Sequence, residues 1–166
     1  MIESVARAAP LDGAADLVGR LSRGLPESIA ERSRALLGHP VHPALTDLPI
    51  GFWTSAWTLD LLPGRDRTAD AARTLIGLGL LSTVPTVVTG LGDAAEMSHD
   101  GRRTAALHAA LNVGATAALA CSWWLRRGEA QGRARTIAQL GAVLATAAAA
   151  VGGHLAFPGD ENEQDV

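Results

Sequence analysis

Three long stretches of this chain carry no formal charge apart from a histidine in two of them, and they constrain the fold more than any other feature. They are residues 74–92, 105–125 and 136–157. At 1.5 Å of rise per residue, about 20 helical residues cover the roughly 30 Å hydrocarbon core of a bilayer. A helix also satisfies its own backbone hydrogen bonds, which the hydrocarbon core demands. The stretches therefore predict α-helices that cross a membrane.

A fourth segment, residues 44–62, is a weaker candidate because it holds Asp47 and Asp60 towards its ends. Short connections join the segments, and such connections favour an up-down-up-down arrangement. The predicted fold is all-α, an integral membrane four-helix bundle with helices at about 44–62, 74–92, 105–125 and 136–157. The alternative, a soluble helical bundle, requires polar residues on the outward face of every helix, and these runs lack them.

The remaining residues divide into two flanking segments. Residues 1–38 are polar and Arg-rich, and the pattern of LDGAADLVGRLSRG from Leu11 predicts an amphipathic helix on the membrane or on the bundle. The segment from Pro26 has the same pattern, and a partly ordered tail is the alternative for both. The transmembrane domain is predicted at 39–157 and an acidic C-terminal tail at 158–166. No apolar core typical of a signal peptide precedes them, so cleavage is not expected.

Charge and cysteine content exclude several classes of function. The formal net charge is -3 and all 14 basic residues are arginine, so nothing indicates a nucleic-acid partner. The single cysteine, Cys121, excludes an internal disulfide and a Cys-ligated iron–sulfur cluster, and it is expected to be a small buried apolar residue.

The arginines also bear on localisation. A multi-pass protein of the bacterial inner membrane is expected, with the lipid bilayer as its main surroundings. The connections after the first and third helices hold more arginines than the other side, which favours both termini facing outward. Trp123 and Trp124, followed by Arg126 and Arg127, are typical of an aromatic belt with flanking cations at a membrane interface.

The predicted topology brings all the histidines to one end of the bundle. They precede the first helix, follow the second, begin the third and end the fourth, as His39, His42, His99, His108 and His154. Ionisable residues inside a membrane warrant a functional hypothesis. Trp53 and Trp57 could flank a haem in this bundle, but core packing is the favoured explanation.

Carboxylates and an amide accompany the histidines at the same end. Asp93 and Glu96 lie at the exit of the second helix, and Asp47 lies one turn inside the first. His108 and Asn112 are spaced by four residues and so share one helix face. The sequence therefore predicts a His/carboxylate cluster at one membrane face, with Asp47 and Asn112 as supporting polar residues.

Two ligation schemes suit this cluster. In the first, His108 pairs with His42 or His154 as axial ligands of a b-type haem, with small Gly and Ala residues making room for the macrocycle. In the second, one or two transition-metal ions are bound by imidazole and carboxylate ligands, drawn from His39, His42, Asp93, Glu96, His108 and His154.

The same residues have simpler interpretations. His39 and His99 can be polar residues of the headgroup region. Pro40 and Pro43 argue against regular helix through HPVHP, so a shared face for His39 and His42 is not assumed. His108 and His154 can form a purely structural, hydrogen-bonded polar cluster.

Four segments carry a family resemblance. GHPVHPALTDLPIG, TGLGDAAE, LHAALN and GGHLAF, in that order and spacing, resemble the uncharacterised bacterial four-helix membrane family catalogued as domain of unknown function 2231. Related chains often carry a Rieske-type iron–sulfur domain after the last helix, which implies electron transfer nearby. This chain departs from that pattern, since PGDENEQDV has no Cys-x-His boxes. Any iron–sulfur partner is therefore expected to be a separate protein.

The sequence thus predicts a small membrane component, associated with redox chemistry, that binds haem or a metal ion. The competing hypothesis is a non-catalytic membrane subunit or scaffold that binds a partner protein. A third hypothesis is a proton or ion pathway through Asp47, His108 and Asn112, with Asp60 as the exit group. No nucleophile sits beside a base in a recognisable motif, so no catalytic residue is assigned.

Overall fold

The computed structural model describes residues 11–24 and 41–156, and within these ranges the chain is all-α. Its five helices are α1 (Leu11–Arg23), α2 (His42–Leu61), α3 (Ala69–Ala94), α4 (His99–Leu125) and α5 (Gln131–Ala156). Each long helix begins a few residues before the apolar segment predicted for it. Helical hydrogen bonding extends into the residues that precede the apolar run, so hydropathy alone does not mark where the helix starts. In α4 the Ser98 side chain accepts a hydrogen bond from the Gly101 amide at 3.1 Å and caps the early start.

Three helices, α3, α4 and α5, are long and apolar enough to cross a membrane. Helix α2 is not among them, because Asp47, Asp60 and its other polar residues lower its mean hydropathy. The structure therefore supports three candidate spans among the described residues, where the sequence predicted four.

The four long helices form two hairpins, α2 with α3 and α4 with α5. The hairpins pack so that α3 contacts α4 and α5 contacts α2, which places α2 and α4 on a diagonal. Trp53, Ile76 and Leu119 fill the core between them. Helix α1 lies at the end of this assembly where α3 ends and α4 begins, with Ala15 and Val18 packed against Ala94 and Ala106.

Small residues lie inside this assembly and large apolar ones lie outside. Most of the buried positions are alanine or glycine, whereas Leu81, Val84, Val113 and Val143 are each well over half exposed. This distribution is typical of a membrane protein, because lipid tails are as apolar as leucine and helices associate by close approach of their backbones. The outward surface of α3, α4 and α5 is thus suited to contact lipid.

The two hairpins repeat each other. Local sequence recurs, as Ala-Arg-Thr at 72–74 and 134–136 and as Leu-Gly at 78–79 and 140–141. With one constant shift along the chain, the buried positions of α2 (Pro49, Trp53, Ala56, Asp60) match buried positions of α4 and its C-cap (Ala115, Leu119, Ser122, Arg126). With a second shift, those of α3 (Ala72, Ile76, Gly79, Thr86) match those of α5 (Ala134, Ala138, Gly141, Ala148). The chain is therefore built as two copies of one helical hairpin.

Contacts within the hairpins repeat as well. A Cβ added at Gly79 would overlap the indole of Trp53, and a Cβ added at Gly141 would lie 2.8 Å from Cγ of Leu119. Trp53 and Leu119 are counterparts in the repeat, and so are the two glycines. Each hairpin thus packs one large side chain into the space that a glycine leaves on the facing helix.

One buried ion pair joins the hairpins at the end opposite the histidines. Arg126 binds Asp60 with both terminal nitrogens, Nη1 to Oδ1 at 3.0 Å and Nη2 to Oδ2, and the two side chains are only 1% and 2% exposed. Ser122 accepts from Nε of Arg126 at 3.3 Å and donates to the carbonyl of Ala134 at 2.7 Å. Arg126, predicted as a flanking cation of the aromatic belt, is thus buried inside the assembly, whereas Arg127 and Trp124 are exposed.

Arg135 extends this ion pair to the surface. Its Nε lies 3.6 Å from Oδ1 of Asp60, and its Nη2 donates to Oδ1 of Asp66 at 2.7 Å. The hydrogen bond from Arg135, assisted by its charge, holds the pKa of the exposed Asp66 carboxyl below its usual value. The two carboxylates and two guanidiniums form one connected network.

Asp60 and Arg126 occupy equivalent positions in the two hairpins. Two aspartates or two arginines facing each other there would be buried like charges, which repel strongly at short distance in a low dielectric. Because the two equivalent positions carry opposite charges instead, they form a bidentate ion pair. The pair also distinguishes one hairpin from the other.

We expect Asp60→Asn to lower the free energy of unfolding by about 3–5 kcal/mol, because it leaves the buried Arg126 charge without its carboxylate. Exchanging the pair, Asp60→Arg with Arg126→Asp, should restore part of the loss, because it again places a carboxylate and a guanidinium at the same two buried positions. Thermal unfolding in detergent, followed by circular dichroism, measures both. Asp66→Asn is the control, because its exposed pair with Arg135 is screened by solvent and contributes little to stability. A double exchange less stable than Asp60→Asn would contradict the pairing.

Candidate ligand site at the histidine pair

His42 and His108 lie together between the hairpins. Their ring centroids are 6.4 Å apart and their planes are nearly perpendicular, at 88°. His42 is the first residue of α2 and His108 lies in the early part of α4, so the diagonal packing of these two helices brings the rings together. The two histidines are also counterparts in the repeat.

Each ring is held by the same kind of hydrogen bond. Nδ1 of His42 lies 2.9 Å from the carbonyl oxygen of Thr86, and Nδ1 of His108 lies 2.8 Å from that of Ala148. A carbonyl oxygen only accepts, so Nδ1 is the donor in both rings. A neutral imidazole that donates through Nδ1 has a lone pair at Nε2, which is the form in which it binds a metal ion or accepts a proton.

Glycines provide the space for the rings. A Cβ added at Gly90 would lie 2.8 Å from Cε1 of His42, and one added at Gly152 would lie 2.8 Å from Cε1 of His108. Real Cβ atoms do not approach this closely, so a larger residue would displace the ring. Each glycine lies one helical turn after the residue whose carbonyl holds that ring. A carbonyl and a glycine four residues later therefore form one seat in each hairpin.

Polar neighbours distinguish the two rings. Asn112 places Nδ2 3.0 Å from Nε2 of His108 and also 3.0 Å from the His108 carbonyl, so the amide donates into the lone pair of that ring. Its counterpart beside His42 is Thr46, whose hydroxyl donates instead to the carbonyl of Pro43 at 2.5 Å. The seats are repeated, but the environment of Nε2 is not.

The other residues of the predicted cluster differ in exposure. Asp47, Glu96 and His99 are exposed, with His99 Nδ1 4.0 Å from Asp100, while Asp93 and His154 are half-buried. His39 lies outside the described residues. Within 11–24 and 41–156, no three His, Cys, Asp or Glu side chains are grouped closely enough to hold a metal ion. The structure does bring His42, His108 and Asn112 together.

The glycines were predicted to make room for a haem, but the space beside four of them is occupied by rings of this chain. The spaces beside Gly77, Gly79, Gly90 and Gly152 are filled by the rings of Trp123, Trp53, His42 and His108, all from this chain. Trp53 belongs to the core, and Trp57 is exposed. Cys121 is exposed on α4, so the expectation that it is buried is wrong.

Sequence analysis missed the seats of the two rings. Thr86, Gly90, Ala148 and Gly152 carry no side chain that suggests a polar site, because two of them act through a carbonyl and two through the absence of a side chain. The signal that could have found them is the repeat, which places a histidine in one helix and a glycine in the next helix of each hairpin.

The family model described as Predicted membrane protein (DUF2231) matches residues 38–163, which include both hairpins. No curated protein and no solved structure matches the chain.

Two neighbouring glycines test the seat of His108. Gly152→Ala should displace the imidazole and break its bond to Ala148, lowering the free energy of unfolding by about 1 kcal/mol or more. A Cβ added at Gly153 meets nothing within 4 Å, so Gly153→Ala should stabilise the helix by about 0.5–1 kcal/mol. Thermal unfolding in detergent separates the two, and equal effects of both substitutions would contradict the seat.

Proposed function

Because the chain belongs to the DUF2231 family of predicted membrane proteins, we propose that it is a multi-pass inner-membrane protein whose histidine pair binds a redox-associated metal centre. In this proposal α2 crosses the membrane together with α3, α4 and α5, and both termini face outward. The metal centre lies near one membrane face, held by Nε2 of His42 and Nε2 of His108.

The matched bonds from Nδ1 to a backbone carbonyl carry this proposal. Metal-binding histidines commonly donate their second ring nitrogen to a carbonyl or carboxylate, which fixes the ring and raises the basicity of the ligating nitrogen. Here both rings are fixed in this way, at 2.9 and 2.8 Å, by equivalent groups of the two hairpins. Two histidines with a purely structural role would not both need to donate through Nδ1 to a backbone carbonyl.

A transition-metal ion fits the pair better than a haem. The glycine spaces needed for a macrocycle are taken up by rings of this chain, whereas a single ion needs no more room than the gap between two imidazoles. Imidazole suits Zn, Cu, Fe and Ni, of which Cu and Fe support electron transfer. His39, Asp93, Glu96 and His154 are proposed as further ligands, and the resemblance implies a separate iron–sulfur protein as electron-transfer partner.

The proton-pathway hypothesis receives less support from the contacts of Asp60. That carboxylate was the proposed exit group, yet it is bound by Arg126 and lies 3.6 Å from Arg135. The oxygens of a carboxylate bound in this way are occupied by guanidinium donors, whereas a relay needs an oxygen that is open to an entering proton. No contact of the described residues favours the scaffold hypothesis over the metal site.

The test is metal analysis of protein purified in detergent after expression with haem and metals supplied. We expect about one transition-metal ion per chain, and His42→Ala and His108→Ala should each lower the affinity by at least tenfold. His99→Ala is the control, because His99 is exposed and does not contact the pair. A visible spectrum with and without dithionite distinguishes a redox-active ion or a haem from zinc.

Asn112 provides a second test of the same site. Its amide donates into the Nε2 lone pair of His108 and competes with a metal ion for it. Asn112→Leu should therefore raise metal affinity, whereas a structural cluster would bind no metal with either residue. A metal-free, colourless preparation of both the natural chain and Asn112→Leu would overturn the proposal.

A further inference from the structure

A groove of about 820 Å³ lies on the outer surface of α3 and α4, at the end opposite the histidine pair. Its wall is formed by Gly77, Leu78, Leu81 and Trp123, and Arg73 and Asp70 lie at its polar end, in the first turns of α3. The groove therefore runs from charged residues at a helix end along an apolar surface that is suited to contact lipid. This arrangement matches an amphiphile with a charged head and an apolar tail.

Cations are concentrated around Trp123 at this groove. The guanidinium carbon of Arg127 lies 4.4 Å from the centre of the Trp123 ring, and that of Arg73 lies 5.3 Å from it. Both distances are typical of cation–π contacts, which hold the arginine side chains in place without neutralising them. Asp70 is the acidic residue that lines the groove, and it is exposed.

The repeat shows how the surroundings of Arg73 differ from those of its counterpart. That counterpart in the second hairpin is Arg135, which lies 3.6 Å from Asp60 and donates through Nη2 to Asp66. Arg73 occupies the same position in the first hairpin, where the residue equivalent to Asp60 is Arg126. Nε of each arginine is buried without a hydrogen-bond partner, but among the described residues only Arg135 of the two is paired with a carboxylate. The position that binds a carboxylate in one hairpin thus faces a groove in the other.

We propose that this groove binds an anionic phospholipid of the surrounding bilayer, with its phosphate at Arg73 and Arg127 and an acyl chain against Leu78 and Leu81. A phosphate oxygen accepts hydrogen bonds from a guanidinium with good geometry, which satisfies the buried Nε of Arg73. Burial of an acyl chain along the apolar wall adds affinity that a soluble anion cannot obtain. The lipid supplies at Arg73 the anion that Asp60 and Asp66 supply at Arg135.

The site is independent of the proposed metal centre, which lies at the other end of the helices. Leu81 is 71% exposed and its counterpart on α5, Val143, is 66% exposed, so the chain offers a matched pair of positions. Only Leu81 belongs to the groove. Similarly, Arg133 is exposed near the same membrane end and does not line the groove, which makes it a control for Arg73.

The experiment is native mass spectrometry of the purified full chain in detergent, titrated with phosphatidylglycerol or phosphatidylcholine of identical acyl chains. We expect the chain to prefer phosphatidylglycerol by about fivefold for each arginine that contacts the phosphate. Arg73→Gln should reduce that preference by about fivefold, while Arg133→Gln should leave it unchanged. Metal content measured on the same samples should stay the same in all variants.

A second pair of variants covers the case in which Arg73→Gln does not fold. Leu81→Trp fills the groove from a position that folding does not depend on, and it should weaken binding of phosphatidylglycerol, whereas Val143→Trp should not. Equal binding of the two lipids, or an equal loss with Arg133→Gln, would overturn the proposal. Inorganic phosphate that displaces the lipid at millimolar concentration would assign the site to a soluble anion and would overturn it too.

Discussion

The ion pair between Asp60 and Arg126 is the interaction on which the relation between the two hairpins depends. Lipid tails give helices no apolar driving force to associate, so contacts between hairpins must come from close packing and from polar pairs that avoid the hydrocarbon. Small residues allow the close packing, but they are repeated in both hairpins and do not distinguish one arrangement from another. The buried pair is specific, because only one alignment of α2 with α4 satisfies both charges.

Two copies of one hairpin also explain where the candidate sites lie. Where the copies have kept the same chemistry, they place two equivalent groups together, and the seats of His42 and His108 are the clearest case. Where they have diverged, one copy has a partner that the other lacks. Asn112 donates to His108, whereas its counterpart Thr46 donates to a backbone carbonyl, and among the described residues Arg135 is paired with carboxylates while Arg73 is not. Positions that match between the two hairpins and positions that differ therefore both indicate where a ligand could bind.

Much of the fold could be predicted from the sequence, and less of the candidate site. Long uncharged runs predict helices and a membrane location because the hydrocarbon core excludes unsatisfied backbone, a requirement that acts on composition alone. Arg126 was assigned to the membrane interface because it follows Trp123 and Trp124, yet it is buried, since Asp60 lies across the assembly from it. Such a pairing depends on residues far apart in the chain. Likewise, carbonyls and glycines that seat a ring have no side-chain signal.

The sequence by itself determined the helices, their approximate order across the assembly and the placement of His42, His99, His108 and His154 at one end. These follow from hydropathy and from short connections, which are local properties. Only the tertiary structure decided that His42 meets His108, that glycines hold their rings, and that Arg73 faces a groove while Arg135 faces Asp60. Such outcomes depend on the rotation of each helix about its own axis, which close packing of small residues sets. That rotation arises only when both hairpins are packed together.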